Sequence, residues 1–493
     1  MVDDQPPKGL ADVVVSQTKI TSINGELGKL FHCGYEISDL AANSTFEELT
    51  YLLFYGNLPN QSEFSEHRNL IYSNREVDDK IINLIKEFPS DSNTMDFLRT
   101  VVSYLSIFDP DKENHSPQAN LNKSICLLAQ MPTVLSYYHR IRNNLEIIHP
   151  DDNLDFASNF LYMISGNRPD KLSSQCLDKC LILHADHGFN ASTFSARVTV
   201  STLSDIHSGI TSAIGTLKGP LHGGANESVL KMLKEIQDIE NIPNYISEKL
   251  QRKERIMGFG HRVYLTIDPR ATVLREMSKN LQNEFGGNLY DLSYAIEQTV
   301  FEQKNLKPNV DFYAASVYSM LNLDSTLFTP LFACSRISGW CAQILEQLND
   351  NKLISIPASI GNLVKLEELW LQNNQIISLP NEIGNLTNLA KLFINDNLLE
   401  FVPETIMDLE NLIWLKMDNN SLSELPNLLK LRMDGCIHVE PLPRPKVMEN
   451  RAQVEKYQLR LLKALGKVIP VTAKKESIGS KNEKSSVDRK TLS

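Results

Sequence analysis

Asn43-Ser44-Thr45, followed by Phe46-Glu-Glu-Leu-Thr-Tyr-Leu-Leu-Phe-Tyr55, sets the reading of the first 350 residues. Its apolar side chains recur at helical spacing, and the Asn-Ser-Thr triplet offers side-chain oxygens to the open N–H groups of a first turn. The same pattern returns over Leu121–Tyr138, Asp155–Ile164, Ser173–His184 and Thr193–Ser204. Strand-like alternation is scarce apart from one short run, Asp12-Val-Val-Val-Ser-Gln-Thr-Lys-Ile-Thr21. From about Gly9 to Asp350 the expectation is a mainly α, all-helical region.

At Asn351 the texture changes. Leu366, Leu389 and Leu412 stand 23 apart, and so do Leu369, Leu392 and Leu415. Asn374, Asn397 and Asn420 keep that step, as do Pro380, Pro403 and Pro426. This is the Leu-x-x-Leu-x-Leu-x-x-Asn signature of a short α/β leucine-rich repeat solenoid. The leucines are expected to face a stacked core, and each asparagine to bond turn backbone in its neighbour. A fragment with Asn351, Leu353, Ile356 and Pro357 precedes the first full unit, and a shortened one, Leu428 to Cys436, comes after the last. The expected division is 1–350 helical, 351–440 repeats, and 441–493 a Pro-rich break, a helix and a tail. The helix is expected over Val447–Val468 through Val454, Leu459, Leu461, Leu462 and Leu465. Beyond Val471 the basic, apolar-poor chain is expected to be disordered.

Composition narrows the functional classes. The chain has 493 residues, 42% hydrophobic and 22% charged, which suits a globular protein of roughly three domains. A net charge of −11 argues against a general nucleic-acid binder. No apolar run approaches the roughly 18 residues of a membrane helix. The acidic start, Met-Val-Asp-Asp-Gln-Pro-Pro-Lys, lacks the features of a signal or transit peptide, and the last residues, Thr-Leu-Ser, are no peroxisomal address, so a cytoplasmic location is expected. Seven scattered cysteines read as free thiols, and no zinc pattern is present.

Three separated words each hold one histidine among small residues. They are Ala185-Asp-His187-Gly-Phe-Asn, Gly219-Pro-Leu-His222-Gly-Gly-Ala-Asn-Glu and Gly258-Phe-Gly-His261-Arg-Val-Tyr. Asp311 comes later in Asp-Phe-Tyr, with Asp268-Pro-Arg270 and Arg336 on either side. Histidines with a carboxylate suit proton abstraction next to a carbonyl and stabilisation of the enolate oxygen. Two arginines suit a small substrate with several carboxylates, because the guanidinium fork pairs with them bidentately.

These words, in this order, together with Asn190-Ala-Ser-Thr-Phe, Ser335-Arg336-Ile-Ser-Gly-Trp340, Gly25-Glu-Leu-Gly-Lys-Leu and Gly34-Tyr-Glu-Ile-Ser-Asp-Leu-Ala, make residues 9–350 resemble the citrate synthase family in its shorter bacterial form. The resemblance implies a two-domain all-helical fold, its small domain at about 219–325, and condensation of acetyl-CoA with oxaloacetate to citrate and CoA at the entry to the tricarboxylic acid cycle. It implies that Asp311 takes the methyl proton, that His222 bonds the thioester oxygen, and that His261 polarises and protonates the ketone. His187, Arg270 and Arg336 would hold oxaloacetate. It implies no metal and no cofactor, acetyl-CoA being a substrate, and a homodimer. A 2-methylcitrate synthase is the near alternative.

The chain also departs from the family. Members run on from the Ser-Arg word through Asn-x-Leu-Ile-Arg-Pro-Arg, whose first arginine reaches oxaloacetate in the partner's site. Here the chain reads Asn351-Lys-Leu-Ile-Ser355-Ile-Pro, and Ser355 takes that arginine's place. Loss of such a charge costs about 2–5 kcal/mol, roughly thirty-fold to several-thousand-fold. Leu265 stands where a lysine near CoA is common, and Cys33 where arginine is common before Gly-Tyr. Asn349-Asp-Asn351-Lys-Leu resembles both the end of a synthase helix and the Asn-x-Leu of a repeat, as expected where two coding sequences were joined. The second hypothesis is therefore a protein-interaction module on an impaired synthase scaffold. Trp370, Phe393 and Lys416 in one column and Gln372, Asn395 and Asp418 in another would offer the repeat face to a protein partner.

Overall fold

A computed structural model describes residues 16–220, 222–350, 355–372, 374–417, 419–422 and 438–439, and position 353. The chain forms two compact units, Met1–Asn351 and Lys352–Ser493.

The first unit is helical because its polar punctuation fits helix starts. Thr45 caps Phe46–Tyr55 in a reciprocal box with Glu48. The side chains of Asp155, Asp170 and Asn190 cap Phe156–Ser165, Lys171–His184 and Ala191–Val200. The helix expected over Leu121–Tyr138 is longer, Pro117–Arg142, because the Ser116 side chain caps it and Pro117 fits its first turn. The one expected to Ser204 stops at Val200, and Leu203 beyond it has φ +63°. Phe328–Asp350 runs through the unit with Phe328, Ile337, Trp340 and Ile344 fully buried. Among the described residues, no helix is long and apolar enough to cross a membrane.

Residues 12–15 of the strand expected over Asp12–Thr21 lie outside the described residues. Of that run, residues 16–20 are not strand: Ile20 N–H is taken by the Thr18 hydroxyl and Lys19 N–H by Glu346 Oε1, 2.7 Å away. The sheet begins at β1 (Thr21–Asn24) and continues antiparallel through β2 (Lys29–His32) and β3 (Tyr35–Glu36). Cys33 (φ +48°) and Gly34 (φ +92°) make the two-residue turn between the last two. Pairing across β1 and β2 sets Thr21 opposite His32.

The second unit repeats one coil. The strands β4 (Glu368–Trp370), β5 (Lys391–Phe393) and β6 (Trp414–Lys416) pair in parallel, and β7 (His438–Val439) adds to them. Each step of the register is 23 residues from β4 to β6. Short 3-10 turns, Ala358–Asn362, Asn381–Asn385 and Glu404–Asp408, each come directly after a proline. Leu389, Leu392, Leu412 and Leu415 are buried in its core. Asn397 Oδ1 accepts from Ile376 N, and its Nδ2 donates to the carbonyls of Leu371, Ile394 and Asn395. Exposed Trp370 stacks on Phe393 at 4.2 Å, with Lys416 next in register. Six cysteines among the described residues are free. Asp418, Leu428–Cys436, the helix expected at Val447–Val468 and the basic tail lie outside the described residues.

Candidate active site

The site forms where loops and helix starts of the first unit converge. His187 sits in the turn between Lys171–His184 and Ala191–Val200. His261 lies in the loop before helix Pro269–Phe285, and Asp311 in the first turn of Val310–Met320. Arg336 projects from Phe328–Asp350.

Asp268, buried, ties helix Pro269–Phe285 to helix Val310–Met320. Its Oδ1 accepts from Arg270 N and Nε, and its Oδ2 from Arg270 Nη2 at 2.8 Å and Val310 N at 3.2 Å. One carboxylate thus caps the helix, orients a guanidinium and fixes the residue before Asp311. Burial works against the charge of Arg270, but Asp268 holds its pKa above the usual value.

The rings of His187 and His261 are 5.2 Å apart, and Tyr264 packs against both. Tyr264 OH lies 3.1 Å from His187 Nε2. Backbone N–H groups of Val263 and Tyr264 both donate to His261 Nδ1. A nitrogen that accepts carries no proton, so neutral His261 holds its hydrogen on Nε2. Burial, then the charge of Arg270, pushes His261 down to about 4. Burial and Arg270 hold His187 well below its ordinary value. Both rings are therefore neutral hydrogen-bonding groups at physiological pH.

His222 Nε2 is 2.9 Å from Ser192 Oγ, which accepts from Trp340 Nε1–H at 3.1 Å and has Asn190 Oδ1 2.7 Å away. Burial lowers His222 to about 4, with Arg336 adding to it. Asp311 moves the other way: burial raises it to about 7 against the pull of Arg270. Arg336 is 2% exposed, donates from Nε to His184 O, and has no carboxylate within ion-pair distance among the described residues. Burial lowers it to about 10, opposed by Asp186, and it stays charged at neutral pH.

All six residues singled out in the sequence are thus within one electrostatic neighbourhood. His187 feels Arg270, His261 and Arg336; Asp311 feels both arginines; His222 feels Arg336. Ser355 is placed in the second unit, where it pairs in parallel with Ser378 as the first rung of the coil stack. Sequence reasoning gave no role to Asp186, Asp268, Ser192, Tyr264 or His32. The first four stand inside the quoted words, and that was their only signal. His32 is fully buried with Nδ1 2.9 Å from Thr21 Oγ1, and nothing in the sequence marks it. Among the described residues no group of three or more histidine, cysteine or acidic side chains has metal-binding geometry.

Comparison with known proteins gives one consistent answer. A model of the family "Citrate synthase, C-terminal domain" matches residues 9–356, and so ends close to the boundary between the units. Citrate synthase 2 of Bacillus subtilis is 48% identical over 349 residues, covering 70% of this chain and 93% of that protein. The 2-methylcitrate synthase 1 of Corynebacterium glutamicum is 42% identical over 375 residues, 75% of this chain and 98% of its own. Among solved structures, citrate synthase from Pyrobaculum aerophilum superposes with TM-score 0.67 at 37% identity, over 71% of this chain and 90% of that one.

Proposed function

The chain belongs to the citrate synthase family, and from that premise we propose that its first unit condenses acetyl-CoA with oxaloacetate and releases citrate and CoA. The observation that carries the reading is Arg336: a buried guanidinium without a carboxylate, beside Arg270 and an Asp311 held near neutrality. A buried charge without an ion-paired carboxylate is costly, and a dianionic keto acid supplies one.

The proposed chemistry is built on the protonation states. Asp311 as carboxylate takes a proton from the methyl group of acetyl-CoA. Trp340 can only donate to Ser192 Oγ, and Ser192, whose one hydroxyl hydrogen otherwise goes to Asn190 Oδ1 at 2.7 Å, turns it to His222 Nε2 in the reacting site. Asn190 Oδ1 keeps the N–H groups of Ser192 and Thr193 in either case. His222 then offers Nδ1–H to the thioester oxygen as the enolate forms. His261 donates Nε2–H to the ketone of oxaloacetate, while His187, Arg270 and Arg336 hold its carboxylates. The new carbon–carbon bond gives citryl-CoA, and one water hydrolyses the thioester to citrate and CoA. In this reading residues 219–325 form the small domain that closes over the site and excludes water.

The enzyme is further proposed to be a homodimer of the cytoplasm, with no resident cofactor or metal and no nucleic-acid or membrane partner. The second unit is read as leucine-rich repeats on 351–440, whose Trp370–Phe393 face takes a protein partner. Ser355 supports the alternative reading, an interaction module on an impaired synthase, because the arginine expected at its position is replaced. The relative from Corynebacterium glutamicum supports 2-methylcitrate synthase as the other substrate choice.

A thiol-release assay with acetyl-CoA or propionyl-CoA and oxaloacetate tests these readings. Turnover with acetyl-CoA in the range usual for enzymes, about 1–10³ per second, is expected. Preference for propionyl-CoA favours the second substrate choice. No turnover with either, while oxaloacetate still binds, overturns the enzyme reading in favour of the impaired scaffold.

A further inference from the structure

We infer that the β1–β2 hairpin, Thr21–His32, is a positioning element that sets the two substrate-handling histidines against each other, holding His187 at one end and His261 at the other. The inference rests on the proposed condensation, in which both rings act on oxaloacetate.

At the open end of the hairpin, Thr21 and His32 face each other across the strands. Thr21 Oγ1 donates to Asp186 Oδ2 at 2.5 Å, across 165 residues of chain. A threonine hydroxyl has one hydrogen. With it given to the carboxylate, His32 must donate from Nδ1 to Thr21 Oγ1, leaving its buried Nε2 a bare acceptor without a partner. Asp186 Oδ2 also accepts from Gly188 N and Gln343 Nε2. His187 is thereby carried between an anchored side chain and an anchored amide.

At the closed end, Gly25 O accepts from Leu265 N at 3.0 Å. A Cβ on Gly25 would lie 2.1 Å from Val263 O. One on Gly28, where φ is +64°, would lie 2.4 Å from Thr266 Oγ1 and 2.8 Å from Ile267 O. The turn is therefore seated directly on residues 263–267, which include both N–H donors to His261 Nδ1. Tyr264 OH, bonded to His187 Nε2, closes the circuit. Hairpin, Asp186, His187, Tyr264 and the 263–267 segment form one closed ring of contacts.

A misplacement of about 1 Å in such a site costs on the order of a hundred-fold in rate. Thr21→Val keeps the shape and removes the hydroxyl; Thr21→Ser restores it. In the full chain, Thr21→Val is expected to weaken oxaloacetate binding by about ten-fold or more, read by calorimetry, with KM for acetyl-CoA changed less than about two-fold. Thr21→Ser is expected to return oxaloacetate binding to within about three-fold of the parent. Gly28→Ala, acting at the other end, is expected to lower kcat about ten-fold and reports even where Thr21→Val does not fold. The inference is overturned if the parent binds oxaloacetate and Thr21→Val binds it equally well. It is also overturned if Thr21→Val raises both KM values to the same extent while lowering the melting temperature, the mark of a merely structural hydroxyl. A parent chain that neither binds oxaloacetate nor turns over sinks the functional reading itself, and the inference with it.

Discussion

Arg336 in the helical unit and Asn397 in the coil stack are both buried polar side chains, and they are treated in opposite ways. Arg336 gives one hydrogen bond to His184 O and faces no carboxylate within ion-pair distance among the described residues. Nearby, Asp186 Oδ1, His32 Nε2 and His184 Nε2 are buried without partners. Asn397 instead makes four hydrogen bonds to backbone, with Oδ1 and Nδ2 both used. A satisfied buried group specifies a fold, whereas a cluster of unsatisfied ones is tolerated where a ligand completes it.

The largest expected effect tests the unsatisfied side. Asp311→Asn keeps the shape and removes the proposed base, so kcat should fall by about 10²–10⁴. The pH profile sharpens this. Because burial raises Asp311 to about 7, its carboxylate form is lost as pH drops below that value. In the parent, kcat/KM should fall about ten-fold per pH unit below the pKa, while residual activity of Asp311→Asn should lack that limb. A parent profile flat down to pH 5 would remove Asp311 from the role of base. The same shift makes Asp311 a stabilising influence at low pH that fades as pH rises through about 7, because the native state holds this proton more tightly than the unfolded chain.

Arg336→Met comes next. It should weaken oxaloacetate binding by about 2–5 kcal/mol, roughly thirty-fold to several-thousand-fold. Stability should move the other way or not at all, since burial outweighs the attraction of Asp186 at Arg336, and an apolar side chain there removes a desolvation cost. A thermal melt paired with calorimetry checks both. A lowered melting temperature with unchanged oxaloacetate binding would make Arg336 a structural residue and dissolve the contrast with Asn397.

The helices and the six candidate residues were legible because their signals are local. Thr45, Asp155 and Asn190 cap the helices that start beside them, and His187, His222 and His261 stand in words that carry their own glycines. The residues that support them are not local. Asp186 meets Thr21 across 165 positions, and His32 sits in a strand whose neighbours give it no distinguishing period. Pattern alone runs the strand through Lys19 and Ile20, yet Glu346 and Thr18 take their backbone donors and the sheet begins at Thr21. The coil stack was legible for the reverse reason: a fixed 23-residue step repeats one local environment, so every column reports on the others.

The smallest effect belongs to the asparagine ladder, and it separates position from residue type. Neighbouring rungs share acceptors: Asn374 and Asn397 both donate to Leu371 O, and Asn397 and Asn420 both donate to Ile394 O. Asn397, the middle rung, is 5% exposed, and its loss strands Ile376 N in the core. Each buried group left unpaired costs about 1–3 kcal/mol, so Asn397→Ala should destabilise the stack by about 2–3 kcal/mol. Asn374 is half-buried, and its Oδ1 accepts from Leu353 N next to an exposed side chain, where water can take over. Asn374→Ala should therefore cost less, about 1 kcal/mol. Urea unfolding monitored by the fluorescence of Trp370 and Trp414 measures both. Equal losses at the two positions would mean that the ladder acts through intrinsic turn preference of asparagine and not through saturation of a buried backbone.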